Sequence, residues 1–232
     1  PSRIQPDTVA ALARERRGTD QELESWQASQ DAYVTTGRFF DALAALESER
    51  KLTFAINAGM YHEDRAPVGL YRENDIEISG VVTSDGPGNF GLLPNGVFCL
   101  ADGNASVTES RLFAADPPNC RFATQSGPML VIDGTLHPKF LPDSDSRKIR
   151  NGVGVRADGN VVFAISDRTI NFHTFARFFR DQMDTPDALF LDGSVSRLFD
   201  RASGRSDFGP RLNYTLLHFQ NLAGQYSYVR EA

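Results

Sequence analysis

Short apolar runs interrupted by glycine, asparagine and aspartate make up most of the chain after residue 52. The run LTFAI at residues 52–56 is nearly continuous, which is typical of a buried strand. Comparable runs predict further strands at residues 68–71, 76–82, 97–100, 129–132, 188–191 and 214–219. The pattern therefore predicts a body built mainly from short strands.

Two tight turn signals lie between pairs of apolar runs. DGN at residues 102–104 separates the runs at 97–101 and 105–108, and ADGN at residues 157–160 separates the runs at 153–156 and 161–165. Turn residues of this kind between two apolar runs are a signal for a β-hairpin. We therefore predict that the runs on either side of each turn pair as antiparallel strands.

Helical periodicity is confined to two regions. The first 50 residues predict helices at about residues 7–17, 21–33 and 39–50. A later amphipathic helix begins after Asn171, a suitable N-cap, and its periodicity places Phe172 and Phe179 in the core. Together these elements predict a single α+β domain of mixed, largely antiparallel sheets flanked by helices, with a helical N-terminal segment.

The charge balance excludes one broad class of partner. The 232 residues include 24 Lys and Arg against 30 Asp and Glu, a net charge of −6. A general nucleic-acid binder needs a strongly basic face, so nucleic acid is not expected as a partner. No apolar run approaches the roughly 20 residues that a membrane-spanning helix needs, so no span is predicted.

The familiar cofactor and metal motifs are absent from the sequence. It contains no phosphate loop that ends in Gly-Lys-Ser/Thr, no dinucleotide fingerprint and no His-Glu-x-x-His. We therefore expect neither an organic cofactor nor a bound metal. Cys99 and Cys120 are the only cysteines. They flank a turn-rich stretch, and either one disulfide or two free thiols fits this pattern.

Polar residues occur where apolar strands begin or end. At five such places a small residue, which allows close approach of backbone or ligand, adjoins a hydrogen-bonding or charged side chain. Rigid scaffolds present functional groups at such positions, so together the five predict a site. The segments are NAGM at 57–60, QSGP at 125–128, RNGVG at 150–154, SD at 166–167 and DGSVSR at 192–197.

These segments lie within longer motifs that resemble the phosphodiester glycosidase family over roughly residues 52–220. The motifs are FAINAGMY at 54–61, PVGL at 67–70, NGVF at 95–98, ATQSGPML at 123–130, RNGVGV at 150–155, FAISD at 163–167, LFLDGS at 189–194 and FGP at 208–210. The resemblance implies a phosphodiester glycosidase-like domain at residues 51–232, preceded by the helical segment at residues 1–50. At residues 192–197 the chain has DGSVSR where the family usually has Asp-Gly-Gly-x-Ser-Ser, as in a bacterial subgroup.

The resemblance implies cleavage between the anomeric carbon of a sugar and a phosphodiester. A phosphate leaving group has a second pKa of about 6 and departs readily, so strong general-acid catalysis is less necessary. The reaction instead needs a cationic residue, the phosphate clamp, that binds the negative charge of the phosphate. Arg150 is the preferred residue to bind the phosphate charge, because guanidinium matches phosphate oxygens, and Lys148 and Arg197 are in reserve. A carboxylate must also face the anomeric carbon as nucleophile or base, for which Asp192 is the first choice and Asp167 the second.

The remaining candidate residues would bind the substrate. Polar side chains are expected to form hydrogen bonds with sugar hydroxyls or phosphate. Glycines would let the substrate approach the backbone closely, and one aromatic ring would stack on the sugar. They are Asn57, Gln125, Ser126, Ser194 and Ser196 for hydrogen bonding, Gly59, Gly127 and Gly193 for close approach, and Tyr61 for stacking.

The expected function is therefore that of a hydrolase acting on a sugar-1-phosphodiester, in an envelope or exported glycan. The alternative is a module that binds an anionic or phosphorylated glycan without cleaving it. An ionised aspartate beside the phosphate distinguishes the hydrolase from the binding module. The enzyme requires this carboxylate for catalysis, whereas a module that only binds the ligand has little use for it, because the two negative charges repel each other. Family members are often secreted or periplasmic, so the resemblance implies one of those locations. A cytoplasmic protein with two free thiols fits the composition equally well.

Overall fold

The structure of the protein is a computed structural model. It describes residues 54–60, 62, 66–73, 75–101, 104–193, 196–200, 203–207, 216–219 and 226–228. The helical segment predicted at residues 1–50, and its boundary with the following domain, lie outside the described residues.

Strands dominate the described part of the chain. They are β1 Phe54–Asn57, β2 Tyr71–Glu73, β3 Ile76–Ser79, β4 Gly96–Ala101, β5 Asn104–Glu109, β6 Phe122–Ser126, β7 Met129–Ile132, β8 Thr135–Leu136, β9 Asn151–Val155, β10 Val161–Ile165, β11 Asp187–Asp192, β12 Leu198–Asp200, β13 Arg205–Ser206, β14 Leu216–Phe219 and β15 Tyr226–Tyr228. The helices among these residues are α1 Ser110–Ala115 and α2 Phe172–Arg177, and α2 continues as a π-helix over Phe178–Gln182.

The strands form three sheets. Their orders are β13-β12-β1-β14, β15-β10-β9-β11-β7-β8 and β3-β2-β6-β4-β5. Neighbouring strands run antiparallel except for β10 and β15, which are parallel. The prediction of largely antiparallel sheets is confirmed, and the described residues are sheet-rich with few helices. The predicted helix after Asn171 is present as α2 and its π-helical continuation, whereas α1 was not predicted.

Local signals in the sequence account for several elements. The two predicted hairpins form, as β4 with β5 and β9 with β10. Asn171 caps α2, because its side-chain oxygen accepts a hydrogen bond from the amide of Thr174 at 2.9 Å. Cys99 in β4 and Cys120 just before β6 form a disulfide, with their Cα atoms 5.5 Å apart.

The central strands of the six-stranded sheet, β7, β9, β10 and β11, are buried on both faces of the sheet. Val153 and Leu189 on one face pack with Phe98 of β4. On the other face, Val162 and Phe190 pack against α2 and the π-helix. Burial of both faces explains why β11 reads as a continuous apolar run rather than as alternating positions. In the described ranges, no helix is long and apolar enough to cross a membrane.

Candidate active site at the strand ends

Three of the predicted strand ends lie side by side at one edge of the six-stranded sheet. Asn151, the first residue of β9, is paired with Ile165 of β10 on one side and with Asp192 of β11 on the other. The amide of Arg150 donates to Ser166 Oγ, and the amide of Ser166 donates to the Arg150 carbonyl, both at 2.9 Å. The segments that carry Arg150, Ser166 and Asp192 therefore meet at this edge.

A fourth strand end joins the same edge through β6. The hydroxyl of Ser126 is buried and donates to the carbonyl of Leu191 at 3.1 Å. The amide of Phe190 donates to the carbonyl of Pro128 at 3.1 Å. The QSGP segment is thus held against the end of β11, directly before Asp192.

The fifth strand end belongs to β1, which lies in a different sheet. Ile56 of β1 pairs with Leu198 of β12 in antiparallel register. Asn57 follows Ile56 and Arg197 precedes Leu198, so these two residues lie at the same end of the strand pair. Arg197 is buried.

Two polar side chains hold the backbone at Asp192, where the pairing of β9 with β11 is irregular. The register shifts between Phe190 and Asp192, and irregularities such as β-bulges re-aim the neighbouring side chain. The amide of Asp192 donates to Asn151 Oδ1 at 2.6 Å, and the hydroxyl of Ser196 donates to the Asp192 carbonyl at 2.9 Å. Both backbone groups of Asp192 are therefore held by side chains from neighbouring segments.

Arg150 has an unusual environment for a charged side chain. It is 1% exposed, and its Cζ lies 3.6 Å from the ring centroid of Phe172. Nε donates to the carbonyl of Ile170 at 2.9 Å, and Nη2 donates to the carbonyl of Ser146 at 2.8 Å. Burial lowers the pKa of Arg150 to about 10, so the guanidinium still carries its charge at neutral pH.

No carboxylate among the described residues forms an ion pair with this buried charge. A glycine lies directly beside it, and the absence of a side chain there lets the backbone approach the guanidinium and the Phe190 ring. A Cβ atom at Gly193 would lie 3.3 Å from Nη1 of Arg150 and 2.9 Å from the Phe190 ring. Because a buried charge is costly unless it is paired, the arrangement is suited to binding an anion next to Gly193.

Asp167, the second predicted carboxylate, has a different environment. Its side chain is 45% exposed and accepts a hydrogen bond from Arg205 Nη1 at 2.9 Å. Arg205 also donates to both carboxylate oxygens of Asp207. Asp167 thus lies in a partly exposed ion-pair network, and its catalytic role stays a prediction.

The side chain of Gln125 joins two loops by forming hydrogen bonds with the backbone of Leu70 and of Val82. Its Oε1 accepts hydrogen bonds from the amides of Leu70 and Val82 at 3.0 and 2.9 Å. Its Nε2 donates to the carbonyl of Val82 at 2.5 Å and to Asn95 Oδ1 at 3.2 Å. Two donated and two accepted bonds occupy the full capacity of a side-chain amide. The predicted contact of Gln125 with substrate stays a prediction.

Two predicted glycines lie in close packing between segments. A Cβ at Gly59 would lie 2.2 Å from the carbonyl oxygen of Gln125, and one at Gly127 would lie 2.7 Å from Cβ of Asn95. These glycines let neighbouring backbones approach. Tyr61, Ser194 and the side chain of Asn57 lie outside the described residues, so their roles stay predictions too.

Several residues of the arrangement were not among the predicted site residues. Asn151 and Ser166 lie inside the motifs RNGVGV and FAISD, next to the predicted residues Arg150 and Asp167. Their position beside predicted residues was the sequence signal that could have identified them. Phe172 was assigned to the core from its helical spacing, and it also contacts the Arg150 guanidinium. In the described segments, no three His, Cys, Asp or Glu side chains are grouped so as to hold a metal ion.

Comparison with known proteins identifies the family of the chain. The phosphodiester glycosidase family matches residues 50–206, and the chain belongs to that family. The family resemblance of the sequence motifs is therefore confirmed.

Two relatives show how far the similarity extends. Protein YigE of Escherichia coli (strain K12), described as uncharacterized, is 36% identical over 163 residues, which are 70% of this chain and 64% of that protein. The zebrafish N-acetylglucosamine-1-phosphodiester alpha-N-acetylglucosaminidase catalytic domain, auto-inhibited by pro-peptide, aligns with a TM-score of 0.54 at 18% identity. That alignment covers 77% of this chain and 66% of the zebrafish chain, and it shows a shared fold. The chain spans slightly less than two thirds of each relative.

Proposed function

We propose that this protein is a hydrolase that cleaves the glycosidic bond of a sugar-1-phosphodiester. The observation that carries the proposal is the buried, charged Arg150, with Nη1 beside Gly193 and no ion-pair partner among the described carboxylates. Gly193 directly follows Asp192, so an anion bound there would lie next to a carboxylate. A cation for phosphate and a carboxylate for the anomeric carbon are the two groups that this reaction needs.

In the proposed reaction Arg150 binds the phosphate and stabilises the charge that develops on the leaving oxygen. Guanidinium in a site of low dielectric interacts strongly with such a charge and needs no reorganisation during the reaction. The bond between the anomeric carbon and the phosphate oxygen breaks, and its electron pair leaves with the phosphate. Water supplies a hydroxyl to the anomeric carbon, and its remaining proton goes to the departing phosphate or to solvent, so the products are a free sugar and a phosphate monoester.

Asp192 is the proposed carboxylate for this step. Its backbone is held on both sides by Asn151 and Ser196, which positions the side chain at the strand end. It acts either as the nucleophile or as the base that activates water. Asp167, in its exposed ion pair with Arg205, is the second choice.

The other predicted residues have supporting parts in the proposal. Ser126 and Ser196 secure the backbone around Asp192, and Gln125 secures the adjoining loops. Arg197, Tyr61 and Ser194 remain proposed contacts for the phosphate or the sugar.

A secreted or periplasmic location is also proposed. The disulfide between Cys99 and Cys120 supports it, because structural disulfides persist mainly in oxidising compartments.

The test is hydrolysis of a panel of sugar-1-phosphodiesters by the wild type, Asp192→Asn and Asp187→Asn. Asp187 and Asp192 are the two end residues of β11, so Asp187→Asn is a matched control. We expect turnover by the wild type and by Asp187→Asn, and a loss of at least about 100-fold in Asp192→Asn. Full turnover in Asp192→Asn would remove its catalytic role. Phosphosugar binding without any turnover by the wild type would favour the non-catalytic glycan-binding module.

A further inference from the structure

Arg150 is the end member of a continuous stack of rings. His137 stacks on Phe140 with centroids 4.7 Å apart, and Phe140 stacks on Phe172 with centroids 4.9 Å apart and ring planes 6° from parallel. The guanidinium of Arg150 lies 3.6 Å from the Phe172 centroid. A ring and a guanidinium at these distances cannot occupy the same face, so Phe172 lies between Phe140 and Arg150.

Three contacts define how the guanidinium is oriented. The face of Phe172 sets its plane, because a cation prefers to lie over the ring. The carbonyls of Ile170 and Ser146 accept from Nε and Nη2, and these two bonds set its rotation within that plane. The remaining nitrogen, Nη1, is thereby directed to the space beside Gly193.

Phe172 itself is held firmly. Phe140 packs parallel on its far face, and Phe190 meets it edge-on at 4.8 Å with planes 80° apart. Phe172 is also the first residue of α2, directly after the Asn171 cap. The surface on which Arg150 lies is therefore fixed by the helix start and by two further rings.

We propose that Phe172 is a positioning residue for anion binding, which holds the Arg150 guanidinium in the plane that directs Nη1 to a phosphate oxygen over Gly193. The proposal rests on the proposed function, since it takes Arg150 as the phosphate clamp. Phe172 acts through Arg150 and does not touch the ligand.

The test compares Phe172→Leu with Phe178→Leu. Both phenylalanines are partly buried residues of the same continuous helix, and Phe178 packs on Phe179 rather than on Arg150. Inorganic phosphate is the probe, titrated into each protein by calorimetry. We expect phosphate affinity to fall about tenfold in Phe172→Leu, between the sizes of an exposed and a desolvated cation–π contact, and to stay at the wild-type value in Phe178→Leu.

A spectroscopic measurement separates positioning from a general loss of packing. The Phe172 ring should shift the Arg150 Nε proton upfield in the NMR spectrum, and this ring-current shift should vanish only in Phe172→Leu. If that variant fails to fold, Phe172→Met takes its place with the same expected result.

Three outcomes overturn the proposal, and they separate the positioning role from the phosphate clamp. Phosphate binding at wild-type strength in Phe172→Leu, or an equal loss in Phe178→Leu, would overturn the positioning role alone. No phosphate binding by the wild type would overturn the phosphate clamp of the proposed function, and the positioning role with it.

Discussion

The main-chain amide of Asp192 donates a hydrogen bond to Oδ1 of Asn151 at 2.6 Å, between residues 41 positions apart in the chain. The bond joins β9 and β11 at the point where their register shifts. Arg150 and Asn151 are consecutive residues. Arg150 is the proposed phosphate clamp, and Asn151 holds the backbone of the proposed catalytic residue, Asp192. The distance between the two charges therefore depends on Asn151.

Replacement of Asn151 should impair turnover more than binding. Asn151→Ala removes the acceptor that holds the Asp192 amide, and a misplacement of about 1 Å can cost on the order of 100-fold in rate. We expect kcat for a sugar-1-phosphodiester to fall about 10- to 100-fold, with a smaller change in KM. Asn160→Ala, in the exposed turn at the other end of the β9–β10 hairpin, is the control. Equal losses in both variants would contradict a local role for Asn151.

Charge alone at position 150 should not support phosphate binding. Arg150→Lys keeps a positive charge but loses the planar group that stacks on Phe172 and donates to two carbonyls. We expect affinity for inorganic phosphate to fall at least about tenfold. Arg156→Lys is the matched control, because Arg156 follows the other end of β9 and also donates to a carbonyl, that of Met183. Wild-type affinity in Arg150→Lys would show that orientation is unimportant.

The disulfide should contribute to stability and leave the site intact. Cys99 and Cys120 enclose a separation of 21 residues, and closing such a loop stabilises a fold by about 2–4 kcal/mol. The double variant Cys99→Ser/Cys120→Ser should lose that much free energy of unfolding in urea, while its phosphate affinity stays unchanged. The same unfolding midpoint in both proteins would contradict the prediction.

Acid should destabilise the fold through His137. Its Nε2 lies 3.1 Å from the carbonyl of Leu93, and its Nδ1 accepts from the amide of Lys139 at 3.3 Å, an arrangement that requires the neutral ring. Burial, with a smaller contribution from Lys139, lowers the pKa of His137 below its ordinary value. The unfolded chain therefore binds this proton at higher pH than the folded chain, so stability falls as the pH drops below about 6.5.

The measurement is the free energy of unfolding of the wild type and His137→Gln between pH 7.5 and 5. One proton accounts for at most about 1.4 kcal/mol per pH unit. We expect the wild type to have a steeper acid loss than the variant over this range. Parallel pH profiles would show that His137 does not contribute.

Much of the fold could be predicted because its signals are local. The hairpin turns at residues 102–104 and 157–160, the Asn171 cap and the apolar run of β11 each lie within a few residues of the structure they specify. The division of the strands into three sheets could not be predicted in this way. It depends on pairings such as β1 with β12 and β14, which are distant in the chain.

The candidate site shows the same division at the level of single residues. Sequence motifs and strand ends singled out Arg150, Asp192 and Gly193. The motifs did not reveal that the side-chain amide of Gln125 forms two hydrogen bonds with the backbone of Val82, which is 43 residues away. A side chain's chemical type is visible in the sequence, whereas its partners are set by packing.

The sequence by itself determined the strand-rich class of the fold, its family and the residue types available at the strand ends, because periodicity, turn residues and motifs are properties of short segments. Only the tertiary structure decided which of those residues meet. The Phe172 ring lies under the Arg150 guanidinium, and Asn151 holds Asp192, because sheet pairing and helix packing bring distant segments within hydrogen-bond and van der Waals distance.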